Sequence, residues 1–462
     1  MPGTFFGLEI AKSGLDASQI AMDTVGHNIA NAATPGYSEQ RVNLATNDPY
    51  TVPDQADQIP VGMIGTGVHV ASITRATDEF VNVQIRNAQS TLNSQAAQHD
   101  ALSQVESSFG EPSDTGLSHS MGAFFTSVGD LTAHPDDLGI RATVLQAASA
   151  MTQSFQNIQQ RLSGVAAQLT NKVTADMSAL NSYGTQIAAL NVTIRQATAQ
   201  GVQSNDLKDQ RDQLIESVSK LANISVNANS DGTMNVAVGT SDLVVGTDSF
   251  NLSVPSLNAR GDLTGGELGG LGTAQSLVSG YQSNLDTLAS QTIAQVNAIH
   301  STGAGLDGST GLALFTGTNA TNISVNPVIM ANPAKLAAAA VPAVGTTVAP
   351  GDSTNAVALG NLRNTIISGT GTAVDGSTLS SFYAGVIANV GANSAAAKTS
   401  ADSSTSNLTQ LTNQKASETG VSTDSEMVDM LKYQRAYQAS ARVVKTMDDM
   451  VGTLINDMLS SA

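Results

Sequence analysis

Six histidines, at positions 27, 69, 99, 119, 134 and 300, are the residues best suited to metal binding or proton transfer, because imidazole both ligates metals and titrates near neutrality. No two of them have the i, i+4 spacing that puts a zinc-binding pair on one helix face, and with no cysteine there is no thiolate ligand, thiol nucleophile or disulfide. Ser217-Val218-Ser219-Lys220 has the spacing of a lysine-activated serine, yet it falls near the end of an expected helix without the companion motifs of a serine acyl-enzyme. Gly62, Gly65 and Gly67 do not make a dinucleotide site, which needs its glycines between a strand and a helix N-terminus. A hairpin explains them better. Asn229-Ser230-Asp231-Gly232 begins like a calcium loop but lacks the later ligands and the bidentate glutamate, so it reads as a turn between strands. Catalytic, cofactor and metal sites are expected to be absent, and the protein is expected not to be an enzyme.

The elements that would position side chains are more informative. Leu8, Leu15, Met22 and Ile29 recur every seven residues, with Ala11, Ser18 and Val25 interleaved, which is the period of a coiled-coil seam. The other end carries a longer stripe: Met430, Tyr433, Tyr437, Ser440, Val444, Met447, Val451, Leu454 and Met458 alternate steps of three and four. Helices this long and one-sided need a partner, and each terminus offers one to the other.

Composition fits that style of packing. The chain has 462 residues, 4% aromatics and no tryptophan, so small side chains between long helices must supply much of the burial. A net charge of −18 repels phosphate backbones and anionic membrane surfaces, which argues against nucleic acid as a partner. No run approaches transmembrane length, so no membrane insertion is expected, and the start Met1-Pro2-Gly3-Thr4-Phe5-Phe6 lacks the basic region and unbroken apolar run of a secretory signal.

Along the chain, a first helix to Asn31 is stopped by Thr34-Pro35-Gly36. Extended chain and a hairpin follow, with Pro49, Pro53 and Pro60 and the alternating Val68, Val70 and Ile73, and Asp78 caps the next helix. A central helical stretch steps through Met151, Phe155, Ile158, Leu162, Val165 and Leu169, shifts at Val173 and continues through Met177 to Ile194. Residues 223–262 alternate apolar residues up to Val254 with polar turns and read as a small antiparallel β domain projecting into solvent. Helix returns after Gly265-Gly266, then a β-prone stretch over 302–328, a loop rich in Gly, Thr and Ser over 341–378, and a polar helix from Leu379. The expected fold is mainly α and elongated: terminal helices forming an α-helical coiled-coil domain, a long-helix body, and an inserted antiparallel β domain. Its domains are 1–50 with 420–462, a terminal helical assembly domain; 51–222 with 263–419, the body; and 223–262, the insert.

The local motifs carry a specific resemblance. Asn28-Ile29-Ala30-Asn31 followed by Thr34-Pro35-Gly36-Tyr37-Ser38 resembles the N-terminal signature of the axial proteins of the bacterial flagellum. Gly65-Thr66-Gly67-Val68 with Arg75, Asp78 and Phe80 is similar to that family's second segment. Gly420-Val421-Ser422, Glu426-Met427 and Tyr433-Gln434-Arg435-Ala436-Tyr437 through Arg442, then Met447-Asp448-Asp449-Met450, resemble the ending of the hook-associated protein 1 family. The likeness extends inward to Gly265–Gly272 and Asn297–Asp307, whereas Glu39 stands where the family more often has a basic residue. The resemblance implies a secreted, extracellular structural subunit at the hook-filament junction, exported through the flagellum's type III channel. Its implied partners are further copies of itself in a ring, the hook protein, the filament-side junction protein, and an export chaperone on the C-terminal helix. It also implies that the terminal stripes are buried against neighbouring subunits. Alternatives are another axial subunit, such as a hook or flagellin-like junction protein, and, further off, an enzyme or binding protein on a helical frame.

Overall fold

Two features set the path of the chain, the long apolar periodicities that demand helices and the Pro and Gly clusters that stop them. The computed structural model describes residues 5–49 and 64–460, so Pro53, Pro60 and Gly62 lie outside the described residues. Helix α1 (Phe6–Asn31) ends just before Thr34-Pro35-Gly36, where Gly36 adopts a φ of 76°. Strands β1 (Gln40–Thr46) and β2 (Val68–Arg75) pair antiparallel with a bulge between Asn43 and Leu44. Asp78 Oδ1 then accepts from the Phe80 and Val81 N–H groups at 2.8 and 3.2 Å and opens α2 (Glu79–Phe109). Helices α3 (Leu117–Ala133), α4 (Leu138–Ala199) and α5 (Asn205–Leu221) follow. The shift expected at Val173 leaves α4 unbroken over 62 residues.

Strands β3 (Ile224–Ala228), β4 (Met234–Val238), β5 (Ser241–Val245) and β6 (Asp248–Ser249) form an antiparallel sheet in sequence order. Val254, expected in a strand, instead opens α6 (Val254–Arg260), because Ser253 and Ser256 form a capping box and Pro255 occupies the first turn. Next come α7 (Gly266–His300), short strands β7 (Gly303–Ala304), β8 (Phe315–Thr316) and β9 (Ser324–Val325), and α8 (Pro327–Met330). Strand β10 (Ala339–Ala340), α9 (Thr354–Asn361), α10 (Leu379–Thr419) and α11 (Thr423–Ser460) complete the chain. Helix α9 lies inside the stretch expected to be loop. Its buried Ala356 and Leu359 are too few to show a period among Gly, Thr and Ser.

The chain divides into two compact units. One holds Ser90–Ser178 and Leu263–Ser404. Its core contains Phe109, edge-on to Tyr281 at 6.3 Å, and Phe124 beside Phe315 at 5.9 Å, with Phe155 fully buried. Gly270 lets α7 approach α2: a Cβ there would sit 2.2 Å from the Ser94 carbonyl oxygen.

The other unit holds Met1–Gln89, Ala179–Asp262 and Thr405–Ala462. In it the β3–β6 sheet does not stand free in solvent as the sequence suggested. Val236, Val238, Leu243 and Val244 are wholly buried, and Leu243 packs on α4 at Gly184. Asn191, fully buried on α4, donates to the Met234 and Gly246 carbonyls at 2.8 and 2.6 Å, and its Oδ1 accepts from Arg211 of α5. Polar turns face outward, but the apolar face is part of this unit's core.

Candidate assembly interface

Pairing of the chain ends follows from small residues on α1 meeting larger ones on α11. A Cβ at Gly7 would lie 2.6 Å from Met447 Cε, one at Gly14 would lie 2.9 Å from Ser440 Oγ, and one at Gly26 would lie 4.0 Å from Met430 Cε. As the number rises along α1 it falls along α11, so the helices run antiparallel. Ala11, Ser18 and Val25 are buried, together with Ala17, Ala21, Thr24 and Asn28, while Leu8, Leu15, Met22 and Ile29 are half-buried. On α11, Met430, Tyr433, Ser440, Val444, Met447 and Val451 are half-buried and Tyr437 is exposed. The side chains of Leu454 and Met458, which complete the expected stripe, lie outside the described residues.

The stripes therefore meet each other within the chain, and the expectation that both are left for neighbouring subunits needs correcting. Mutual burial lowers the exposed apolar area of each helix before any neighbour is met. What stays open is a different face of α11: Met427, Val428, Leu431, Val443 and Met450 are exposed, Val428 at 66%. Gln434, Arg435 and Ala436 are exposed on the same helix.

The N-terminal motif closes a polar clasp at the far end of this pair. Asn28 is 1% exposed and Glu426 5%. Asn28 Nδ2 donates to the Gln40 carbonyl at 2.9 Å and to Glu426 Oε1 at 3.0 Å, and its Oδ1 accepts from the Tyr37 hydroxyl at 2.7 Å and the Gln40 N–H at 3.0 Å. One amide thus joins α1, β1 and α11, with no capacity left over. Asn31 donates to the His27 carbonyl and accepts from Thr34 Oγ1, shaping the turn in which the Pro35 carbonyl accepts from Gln213 Nε2 of α5. Gly36 is needed for the turn's path, since its φ is positive and a side chain there would strike Gln213.

Helix α5 supplies the opposing charge. Arg75 Nη1 on β2 reaches Asp209 Oδ1 at 2.6 Å and Asp212 Oδ2 at 2.9 Å, and Asp209 also accepts from the Ser38 N–H and hydroxyl. Asn205 donates to Gln40 Oε1 and the Ile73 carbonyl, and Gln40 Nε2 donates to Asp206. Glu39, the departure from the family pattern, pairs with Arg41 at 2.8 and 2.9 Å, while its N–H donates to the Thr419 carbonyl. Its charge is thus matched within the hairpin. The sequence reading did not single out α5 as part of the site; the carboxylates at 206, 209 and 212, spaced to share one helix face opposite Arg75, were the available signal.

Burial pushes the Tyr37 phenol well above its usual value, with Asp206, Asp209 and Glu426 adding to the shift. Burial also raises Glu426, against the lowering effect of the Asn28 amide. A carboxyl that holds its proton more tightly when folded favours the fold below its ordinary 4.5 and gives up that stability as pH rises through the raised value. Glu426→Gln keeps an acceptor for Asn28 and removes the charge. Thermal melts between pH 4 and 7 should therefore show a stability gap between wild type and variant that closes as pH falls. A gap independent of pH would mean that Glu426 titrates alike in both states.

Among the described residues there is no group of three metal-ligating side chains, and no helix is long and apolar enough to cross a membrane. Tight packing, polar clasps and exposed apolar residues on α11 suit a surface that binds protein.

Comparison with known proteins gives this architecture its context. Residues 102–315 match the family described as the helical domain of flagellar hook-associated protein FlgK. Residues 8–37 match the flagella basal body rod protein family, and residues 414–458 match the C-terminal region of the flagellar basal body rod FlgEFG proteins. The rod-type matches thus fall on α1 and α11, and the hook-associated match on the middle. Flagellar hook-associated protein 1 of Bacillus subtilis is 27% identical, covering 99% of both chains. Those of Salmonella typhimurium and Escherichia coli are 26% and 25% identical, each covering 96% of this chain and 98% of the relative. The solved structure of the flagellar hook junction protein FlgK from Burkholderia pseudomallei superposes with a TM-score of 0.61 at 17% identity, over 74% of this chain and all of that one, which speaks to the fold. Rod-type ends, a hook-associated helical middle and relatives matched along nearly their whole length agree on one likeness: from end to end the chain is similar to flagellar hook-associated protein 1.

Proposed function

We propose that this protein is a structural subunit joining hook to filament in the bacterial flagellum, and that its copies associate side by side through the terminal helices into a ring. The observation that carries this reading is the apolar face left on α11 after it has paired with α1: Met427, Val428, Leu431, Val443 and Met450. A face of this kind needs a protein partner to leave water. The seam residues Leu8, Leu15, Met22, Val25, Ile29, Met430, Tyr433, Val444, Met447 and Val451 hold the pair that presents it. Tyr437, Gln434, Arg435 and Ala436 lie where a neighbouring subunit, the hook protein or the filament-side junction protein would make contact. In this reading the chain leaves the cell through the flagellar type III channel and works outside it, with an export chaperone covering α11 beforehand. Catalysis has no part in it.

Substitution on the open face separates assembly from folding. Val443→Asp combined with Met450→Asp alters exposed positions, so the change in stability should stay within about 0.5 kcal/mol per site. Incorporation at the junction, scored by electron microscopy and swimming, should fall more than tenfold. Leu15→Asp or Val444→Asp, in the seam, should lower both the stability of the helix pair and incorporation while residues 90–178 stay folded. Wild-type junctions built from the double variant would overturn the reading.

A further inference from the structure

His300 lies at the C-terminus of α7, fully buried, and both of its ring nitrogens are engaged by backbone. Nδ1 lies 2.7 Å from the Leu312 carbonyl oxygen, and Nε2 lies 3.0 Å from the Ala337 amide nitrogen. A carbonyl can only accept and an amide N–H can only donate, so the geometry fixes one form: neutral imidazole with its proton on Nδ1. Ala337 belongs to an alanine-rich strap, Leu336–Ala340, that three other side chains also hold. Arg141, 1% exposed on α4, donates to the Leu336 carbonyl at 2.5 Å, and Asn355 on α9 donates to the Ala337 carbonyl at 2.8 Å. The Ala340 N–H donates to Asp352 Oδ2 at 2.9 Å, and β10 pairs with β7.

We infer that His300 is an acid-sensitive latch: when its Nε2 takes up a proton, the ring can no longer accept from Ala337, and the strap and the α9 helix attached to it come away. The charged groups nearby do not offset the new cation. Arg141 is itself positive, Asp307 is paired with Lys335 at 2.9 Å, and Asp352 is engaged by the Thr354 and Ala340 amides. Among the described residues no carboxylate hydrogen-bonds the imidazole, whose proton affinity is depressed chiefly by burial and only partly restored by Leu312. Protonation therefore waits until the surroundings are more acidic than an exposed histidine requires, and then it leaves a buried charge facing a buried donor. Release has a defined structural result. Ala356 and Leu359 of α9 are buried, as is Val128 of α3, whose Cγ1 would lie 3.9 Å from a Cβ at Gly360, so detachment uncovers apolar surface on both helices.

Amide hydrogen exchange of the full chain, corrected for the intrinsic pH dependence, is the test. From pH 7.5 to pH 5, amides of residues 336–362 should lose at least tenfold in protection while those of α4 hold. His300→Gln keeps an acceptor near the Nε2 position but does not titrate, so in that variant the loss should disappear. In parallel, 15N spectra of the wild-type imidazoles should show His300 as the Nδ1–H tautomer at pH 7.5, becoming imidazolium in step with strap exchange. This second measurement stands even where the glutamine variant folds poorly. Equal acid response in wild type and variant, or a strap that opens while His300 stays neutral, would overturn the inference.

Discussion

Replacing Asn28 with alanine should destabilise the unit that holds the chain ends by about 3–5 kcal/mol, because four hydrogen bonds worth roughly 0.5–1.5 kcal/mol each are lost together. The cost exceeds that of an ordinary surface amide because the partners stay buried. Glu426, 5% exposed, loses the Asn28 amide donor, and the Gln40 N–H and carbonyl lose theirs. Urea titration should report the loss, and hydrogen exchange should place it at the C-terminal end of α1 and the first turns of α11. Asn28→Asp is expected to be worse, since it keeps the acceptor but sets a second carboxylate against Glu426. A loss under 1 kcal/mol for the alanine variant would show that the clasp decorates an interface held by the seam.

Arg75→Ala should cost a further large amount, about 3–5 kcal/mol, on the general finding that removing one partner of a buried ion pair strands the other charge. Here Asp209, the more deeply buried of the two carboxylates on the same Nη1, is left without its cation, while Asp212 keeps Arg211 Nε at 3.9 Å. Arg75 is the side chain through which β2 grips α5, so the hairpin should loosen with it. Adding Asp209→Asn should recover part of the loss by removing the orphaned charge, and lowering the pH should shrink it as Asp209, already raised by burial, takes up a proton. If the double variant is no better than Arg75→Ala alone, hairpin packing rather than charge sets the cost.

Helices and their ends were legible because their causes are local. The seven-residue apolar period, Thr34-Pro35-Gly36 and the Asp78 cap each act within a few residues, and α1, α11 and α2 lie where those signals put them. The site was less so. Its central bond joins Asn28 to Glu426 across 398 residues, and no pattern in either segment specifies the other. Family resemblance marked Asn28, Tyr37 and Arg75 as residues of interest but gave no reason for them; the geometry does. Depth of burial on α1 was also hidden, because a hydrophobic scale ranks Leu15 above Ala11 and Ser18, whereas close helix approach favours the small residues. Arg141, Arg211 and His300 show the same limit. Each is a charged or titratable residue by type, yet each is among the most deeply buried, held by backbone carbonyls and amides that sequence does not display.

The antiparallel match of first helix to last also sets a clock. Asn28 and Glu426 are separated by 398 residues, so at the usual ~5–20 residues per second of synthesis α1 waits roughly 20–80 s for its mate to be made. Closing so long a loop adds an entropic cost that grows only slowly with length, so the delay is kinetic more than energetic. Whatever the middle of the chain does meanwhile, the two ends are the last part to find each other, and each newborn copy passes through a stage in which its N-terminal helix is still single.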